Sequence, residues 1–219
     1  QEINWQSMCS FDGLGAFSAR AGSPHTASRP FDASRDGLVP SGGAAALLLE
    51  RQDLAKARGA LILGEVAGYG FSSDGENLSL PSADGLGRAM RNALRDAELS
   101  LADISYVCAH ATSTPVGDAM EARNLLDLFG DKAVPVSSTK SMTGHELWMS
   151  GAAQVVYTCL MAGSGFTAAS RNFSAGDEIT AKLAVIRKTL ERPPRTALCN
   201  SSGFGGTNSC LALSFQTNC

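Results

Sequence analysis

His110, Lys140 and His145 are the residues whose types and spacing point to chemistry. Each falls where an apolar run of strand length gives way to a helical pattern. His110 follows the run 104–109 and leads through Thr112, Ser113, Thr114 and Pro115 into a helix over 116–129. Thr114 stands there at the cap position and Pro115 at the first helical one. Lys140 and His145 lie between the run 133–137 and the next helix. A third corner, Gly203-Phe204-Gly205-Gly206, follows a run that ends near Asn200. In open α/β sheets ligands bind beyond the carboxyl ends of the strands, so the three corners are expected to converge. Imidazoles can donate, accept or carry a proton near neutral pH, and a lysine supplies positive charge. Glycines let backbone amides point at an oxygen that gains charge, as in an oxyanion hole.

Taken singly, each residue has a plainer reading. A histidine after a strand is commonly a structural residue, and His25, in a loop rich in Pro and Ser, is read so. The chain has only 3 histidines, and the placement of two at equivalent corners favours a catalytic role for His110 and His145. A lysine is ordinarily a solvated surface charge. Lys140, between a buried strand and a buried helix, needs a partner, and Glu121 on the preceding helix is the expected one. The glycine-rich turn precedes a strand, so it fails the context of a dinucleotide fingerprint. Ser137-Ser138-Thr139-Lys140 satisfies the S-x-x-K of serine acyl-enzymes, but it ends a strand and lacks the S-D-N and K-T-G elements.

The elements that carry these corners are read from periodicity. Trp5, Met8, Phe11 and Leu14 suggest a helix within 1–20. Residues 44–50 read as a buried strand, 51–58 as a charged helix stopped by Gly59, and 61–71 as a strand ending in Ser72, Ser73, Asp74 and Gly75. A domain boundary is placed near Gly59, dividing 1–58 from 59–219. Ser82 is expected to cap a helix with Leu86, Met90, Ala93, Leu94 and Ala97 inward and Arg88, Arg91 and Arg95 outward. The helix over 145–161 has no charge after Glu146 and is apolar all round, which predicts burial on every side in a central layer. Ser150, Gly151 and Gln154 interrupt it, and it falls short of a membrane span. Runs 183–186, 196–200 and 209–213 supply the last strands.

With 219 residues and 44% hydrophobic content, the chain can bury a real core, enough for one domain or one and a half. A net charge of −3 without a Lys/Arg cluster argues against nucleic acid as a partner. The 6 cysteines, Cys9, Cys108, Cys159, Cys199, Cys210 and Cys219, form no C-x-x-C pair and read as buried, reduced thiols of a cytoplasmic protein. Sequons at Asn77, Asn172 and Asn200 would suit a secreted protein, but no signal peptide opens the chain. It does not begin with Met, and the expectation is a piece of something longer.

Four ordered blocks carry a resemblance: R-P-F-D-A-S-R-D-G-L-V from Arg29, H-A-T-S-T-P-V-G-D from His110, S-S-T-K-S-M-T-G-H ending at His145, and N-S-S-G-F-G-G-T-N from Asn200. Through them the chain resembles the β-ketoacyl-acyl-carrier-protein synthases of the type I/II ketosynthase group. The resemblance implies an α/β, thiolase-like layered αβαβα fold, here the end of the N-terminal half and the complete C-terminal half. It also implies that the nucleophilic cysteine lies in a missing N-terminal half, since no cysteine here sits in such a motif.

The implied reaction is a decarboxylative Claisen condensation of malonyl-acyl carrier protein with an acyl thioester. By position in their motifs, His110 and His145 would stabilise the developing enolate, and Lys140 with Glu121 would orient the site. Thr112 and Thr114 would bind the phosphopantetheine arm. The Phe204 N–H would form half of an oxyanion hole, with its ring as a gate beside the acyl pocket. No cofactor or metal is implied beyond the pantetheine that the substrates carry. The implied partners are acyl carrier protein and a second subunit, in a homodimer or ketosynthase heterodimer. Two departures stand out: H-G-T is H-A-T at Ala111, and the usual small-residue run is Leu147-Trp148-Met149-Ser150-Gly151, which bears on chain length. A non-catalytic partner of the chain-length-factor kind is the rival reading, against which both histidines and the lysine are retained.

Overall fold

The computed structural model describes residues 2–75, 77–131 and 133–215. Its strands are β1 (Glu65–Ser73), β2 (Tyr106–Cys108), β3 (Pro135–Ser137), β4 (Ala184–Val185), β5 (Thr196–Gly203) and β6 (Thr207–Ser214). They form one six-stranded sheet in the order β1-β6-β5-β2-β3-β4. The strands β5, β2, β3 and β4 are parallel, while β6 pairs antiparallel with both β5 and β1. The carboxyl ends of β2, β3 and β5 therefore lie along one edge.

Helices cover both faces of the sheet. On one face α3 (Gly85–Asp96) and α4 (Pro115–Phe129) pack Met90, Ala93 and Leu125 against Val107, Val136 and Leu198. On the other, α6 (Ser150–Ser164) packs Val155 and Met161 against Tyr106, Cys108 and Cys199. The alternation of Tyr106, Val107 and Cys108 between these two cores is the period of two of a strand buried on both sides. A Cβ on Gly70 would overlap the Ala89 carbonyl, so only glycine lets α3 lie this close on β1. Arg88, Arg91 and Arg95 face outward from α3, as the 3.6 period predicts. Ser82 accepts the Gly85 N–H at 3.1 Å, so it caps the first turn from two residues before the cap position, Asp84.

Three expectations are corrected. The run 44–50 is neither paired nor buried: Leu48 is 89% exposed, because no sheet edge among the described residues meets it. Residues 61–64 likewise precede the paired strand instead of belonging to it. The helix expected over 145–161 breaks into a short 3-10 turn, Leu147–Met149, followed by α6. It is buried on one side only, with Leu160 exposed, because the sheet covers one face and nothing among the described residues covers the other. The flanking helices are α1 (Trp5–Gly13) and α2 (Gln52–Ala57); α1, capped by Asn4, buries none of its residues, so Cys9, expected to be buried, is exposed. Cys108, Cys199 and Cys210 are buried, whereas Cys219 lies outside the described residues. The sequon residue Asn200 is a buried side chain.

Candidate active site

The corner after β2 is held by two carboxylates of α4, three residues apart and so on one helical face. Glu121 accepts the His110 N–H at 3.0 Å, the Ala111 N–H at 2.6 Å and the Asn200 amide at 3.0 Å. Asp118 accepts the N–H groups of Thr112 at 2.9 Å, Ser113 at 3.1 Å and Phe31 at 2.8 Å. Buried carboxylates need such donors, and here four of the six come from the loop that carries His110. The Arg29 block supports this loop from outside. Arg35 donates to the Thr114 and Pro115 carbonyls and to Asp177. Asp32 binds Ser34 and Ser174. Thr114 occupies the cap position of α4 with extended backbone, yet its hydroxyl meets Thr112 at 3.1 Å and makes no cap bond.

The corner after β3 turns through α5 (Lys140–Thr143) to Gly144, whose φ of +74° and whose approach to the Val39 carbonyl exclude a side chain. The turn lets the His145 N–H donate to Val39 at 2.7 Å and its carbonyl accept from Ser41 at 2.9 Å. The His145 Nδ1 accepts the Leu147 N–H at 3.1 Å, and Ser150 Oγ also lies at 3.1 Å from it. An Nδ1 that accepts leaves the ring proton on Nε2, where it can be donated. The imidazoles of His110 and His145 stand edge to face with centroids 5.5 Å apart. The His110 Nδ1 is buried without a hydrogen-bond partner among the described residues.

Burial and the Lys140 charge both act against protonated imidazoles. Burial, then Lys140, then His145 hold His110 well below the ordinary histidine range. Burial and then Lys140 bring His145 down to about 3. Both rings are therefore neutral at physiological pH. Burial lowers Lys140 and raises Glu121, and for each the other's charge opposes the shift.

Glu121, the expected partner of Lys140, acts on it through charge, with no hydrogen bond between the two among the described residues. The Lys140 Nζ donates to Gln154 Oε1 at 3.0 Å, while Glu121 spends its oxygens on His110, Ala111 and Asn200. Gln154, Asp118 and Asn200 are the site residues that sequence reasoning missed. A buried amide in an otherwise charge-free helix was the available signal for the first, and membership in the motif blocks for the other two.

Phe204 lies in the turn between β5 and β6, half exposed, with its ring 5.7 Å from that of Phe11. Trp148 meets Phe11 edge-on at 6.4 Å and is 74% exposed. The sheet brings His110, Lys140 and His145 together at the edge from which this turn also emerges. The three aromatic rings lie beside it, since Trp148 follows the Leu147 amide that binds His145.

This sheet is that of the thiolase-like ketosynthases. A beta-ketoacyl synthase from Burkholderia phymatum STM815 superposes with a TM-score of 0.95 at 39% identity, over 99% of this chain and 53% of that one. The chain belongs to the beta-ketoacyl synthase family: residues 2–55 match the family's N-terminal domain and 63–174 its C-terminal domain. It is 41% identical to 3-oxoacyl-[acyl-carrier-protein] synthase 1 of Escherichia coli strain K12, over 97% of this chain and 52% of that protein. The chain thus spans about half the length of the curated relatives it matches. A chain of a solved structure described as a type II PKS acyl-carrier protein in complex with its ketosynthase bound to the hexaketide also matches, with a TM-score of 0.93 and 32% identity over 99% of this chain and 54% of that one.

Proposed function

We propose that this chain is the decarboxylating portion of a 3-oxoacyl-[acyl-carrier-protein] synthase, whose upstream residues supply the nucleophilic cysteine. Malonyl on the carrier protein loses carbon dioxide, and the electron pair of the broken C–C bond moves into an enolate. His145 Nε2–H, and His110 beside it, donate to the thioester oxygen as its charge grows. Donors set where charge appears only in the transition state stabilise that state selectively. The carbanion then attacks the acyl thioester held on the cysteine, and the thiolate leaves. The Phe204 N–H and the cysteine's own N–H would receive the intermediate's oxyanion, while Thr112 and Thr114 line the pantetheine path.

The observation that carries this reading is the neutral, edge-to-face histidine pair with the His145 proton directed to Nε2. The exposed run at Leu48 and the open face of α6 support packing on further polypeptide, both the upstream half across the boundary near Gly59 and a second subunit. Among the described residues no helix is long and apolar enough to cross a membrane. We assign the whole protein to the cytoplasm, with acyl carrier protein as its partner and no cofactor of its own.

The test is direct. The full-length protein, given malonyl-carrier protein and an acyl primer, should release carbon dioxide and form 3-ketoacyl product, and His145→Ala should lose both. Retention of both by that variant overturns the assignment.

A further inference from the structure

Cys108 and Cys199 face each other across the parallel pair β2–β5, as Cα partners in its register. Both side chains point to the core under α6, whereas their neighbours Val107 and Leu198 point to the opposite one. The helix marks the shared face. Gln154 Nε2 lies 3.6 Å from Cys108 Sγ and Thr158 Oγ1 lies 3.5 Å from Cys199 Sγ, with Gln154 and Thr158 one helical turn apart. Neighbouring strands run about 4.8 Å apart, within the Cα separations of about 4.4–6.8 Å that a disulfide spans. Cys210 points into the other core, and Cys9 and Cys159 belong to helices.

The two thiols differ in acidity. Interaction with Cys199, and then with Gln154 and the Lys140 ammonium, lowers Cys108 against the opposing effect of burial. Interaction with Cys108, together with burial, raises Cys199. A thiolate thus stands beside a thiol, the division of labour between a nucleophilic and a resolving cysteine. Burial keeps bulky electrophiles from both sulfurs. Hydrogen peroxide is little larger than water, and Cys108 ends β2 two residues before His110, at the edge where substrate has to enter.

We propose that Cys108 and Cys199 are a modification site: a dithiol that hydrogen peroxide oxidises to a reversible cross-strand disulfide, which disables the condensing site. The disabling rests on the function proposed above; the cross-link does not. The Cys108 thiolate attacks one peroxide oxygen, the O–O bond breaks, and the departing hydroxide takes up a proton as water, leaving a sulfenic acid. The Cys199 sulfur then attacks the Cys108 sulfur, the S–O bond breaks, and hydroxide leaves with the Cys199 proton as a second water. Two thiols lose two electrons and one peroxide gains them. Closing the sulfurs to about 2.05 Å draws the ends of β2 and β5 together. A displacement of about 1 Å at reacting groups costs about 100-fold in rate, and β2 and β5 carry His110 and the glycine-rich turn.

The full-length protein, treated with hydrogen peroxide, denatured with an alkylating agent and mapped by mass spectrometry, tests the cross-link. The expected product joins the Cys108 and Cys199 peptides, is two hydrogen masses lighter than their sum, and disappears with dithiothreitol. In Cys199→Ser, dimedone should instead trap a sulfenic acid at Cys108. Carbon dioxide release from malonyl-carrier protein reads the consequence. The cross-linked fraction should be about 100-fold slower and recover with dithiothreitol. Cys108→Ser, scaled to its own untreated rate, should lose less than wild type, since any oxidation of upstream thiols is common to both. Alkylation of Cys108 and Cys199 as free thiols, or a link from either to Cys159 or another cysteine, overturns the site; if a variant does not fold, the wild-type map decides. Full activity of the cross-linked fraction, or equal losses in wild type and Cys108→Ser, overturns the disabling role. An untreated wild type that releases no carbon dioxide overturns the condensing function and leaves the peptide map to judge the disulfide.

Discussion

The Leu147 N–H donates to His145 Nδ1 at 3.1 Å, and this backbone contact, made within the turn that opens α6, decides which nitrogen of the catalytic candidate carries the proton. Leu147 adopts a positive φ of 53° to make it, a conformation uncommon for a branched residue and sustained only where surrounding structure enforces it. The consequence is an Nε2–H donor that needs no protonation to act. Removing the ring by His145→Ala, or its neighbour by His110→Ala, is expected to lower the decarboxylation rate by about 10²–10³-fold each, the usual cost of an oxyanion donor. Rates from carbon dioxide release in the full-length protein check this.

Stability should depend on pH through the same pair. In the unfolded chain His145 takes up a proton near 6.5, whereas in the folded site it does so only at about 3. The unfolded state thus binds more protons between these values, and the contribution of His145 to stability falls as pH is lowered from 6.5 toward 3. The melting temperature of His145→Gln should show a shallower slope than wild type across that window. Equal slopes would mean that His145 ionises normally in the fold.

Asp118 offers a test of the loop scaffold. Its carboxylate serves three backbone N–H donors, from Phe31, Thr112 and Ser113. Asp118→Asn turns one acceptor oxygen into a donor that faces N–H groups, and is expected to destabilise the protein by about 1–3 kcal/mol. Urea denaturation measures it, and the pantetheine binding proposed beside Thr112 should weaken in parallel.

Trp148 stands against Phe11, which in turn meets Phe204. In the full-length enzyme Trp148→Gly would open this aromatic wall, and the expected outcome is a changed acyl-length preference or weakened dimerisation. Product chain lengths read by mass spectrometry, with sedimentation of the variant, decide; no change in either removes Trp148 from the acyl and subunit contacts.

The chain alone, without upstream residues, is expected to form no condensation product and no acyl adduct that turns over. Cys9 is exposed on a helix that buries none of its residues, and Cys108 and Cys199 are buried between sheet and helix. Intact-mass analysis after incubation with an acyl-carrier protein detects any adduct.

Much of the molecule was legible before its structure. Period and punctuation located β2, α3, α4 and β5, because an element buried on one face must repeat its apolar residues at 2 or 3.6. The motif blocks named His110, Lys140 and His145, and strand direction placed them on one edge. The run 44–50 misled because a strand requires a neighbouring edge as well as apolar residues, and a local run cannot report whether that edge is present. The partner of Lys140 was also beyond local reading. Glu121 has the complementary charge, but its oxygens are taken by backbone donors that only the folded loop presents, and the lysine is left to Gln154 across the sheet. By itself, then, the sequence determined which groups are present, on which elements, and at which end of the strands. Only the tertiary structure decided which donor meets which acceptor, the tautomer of His145 and the neutrality of both imidazoles, because these depend on burial and on contacts between residues far apart in the chain.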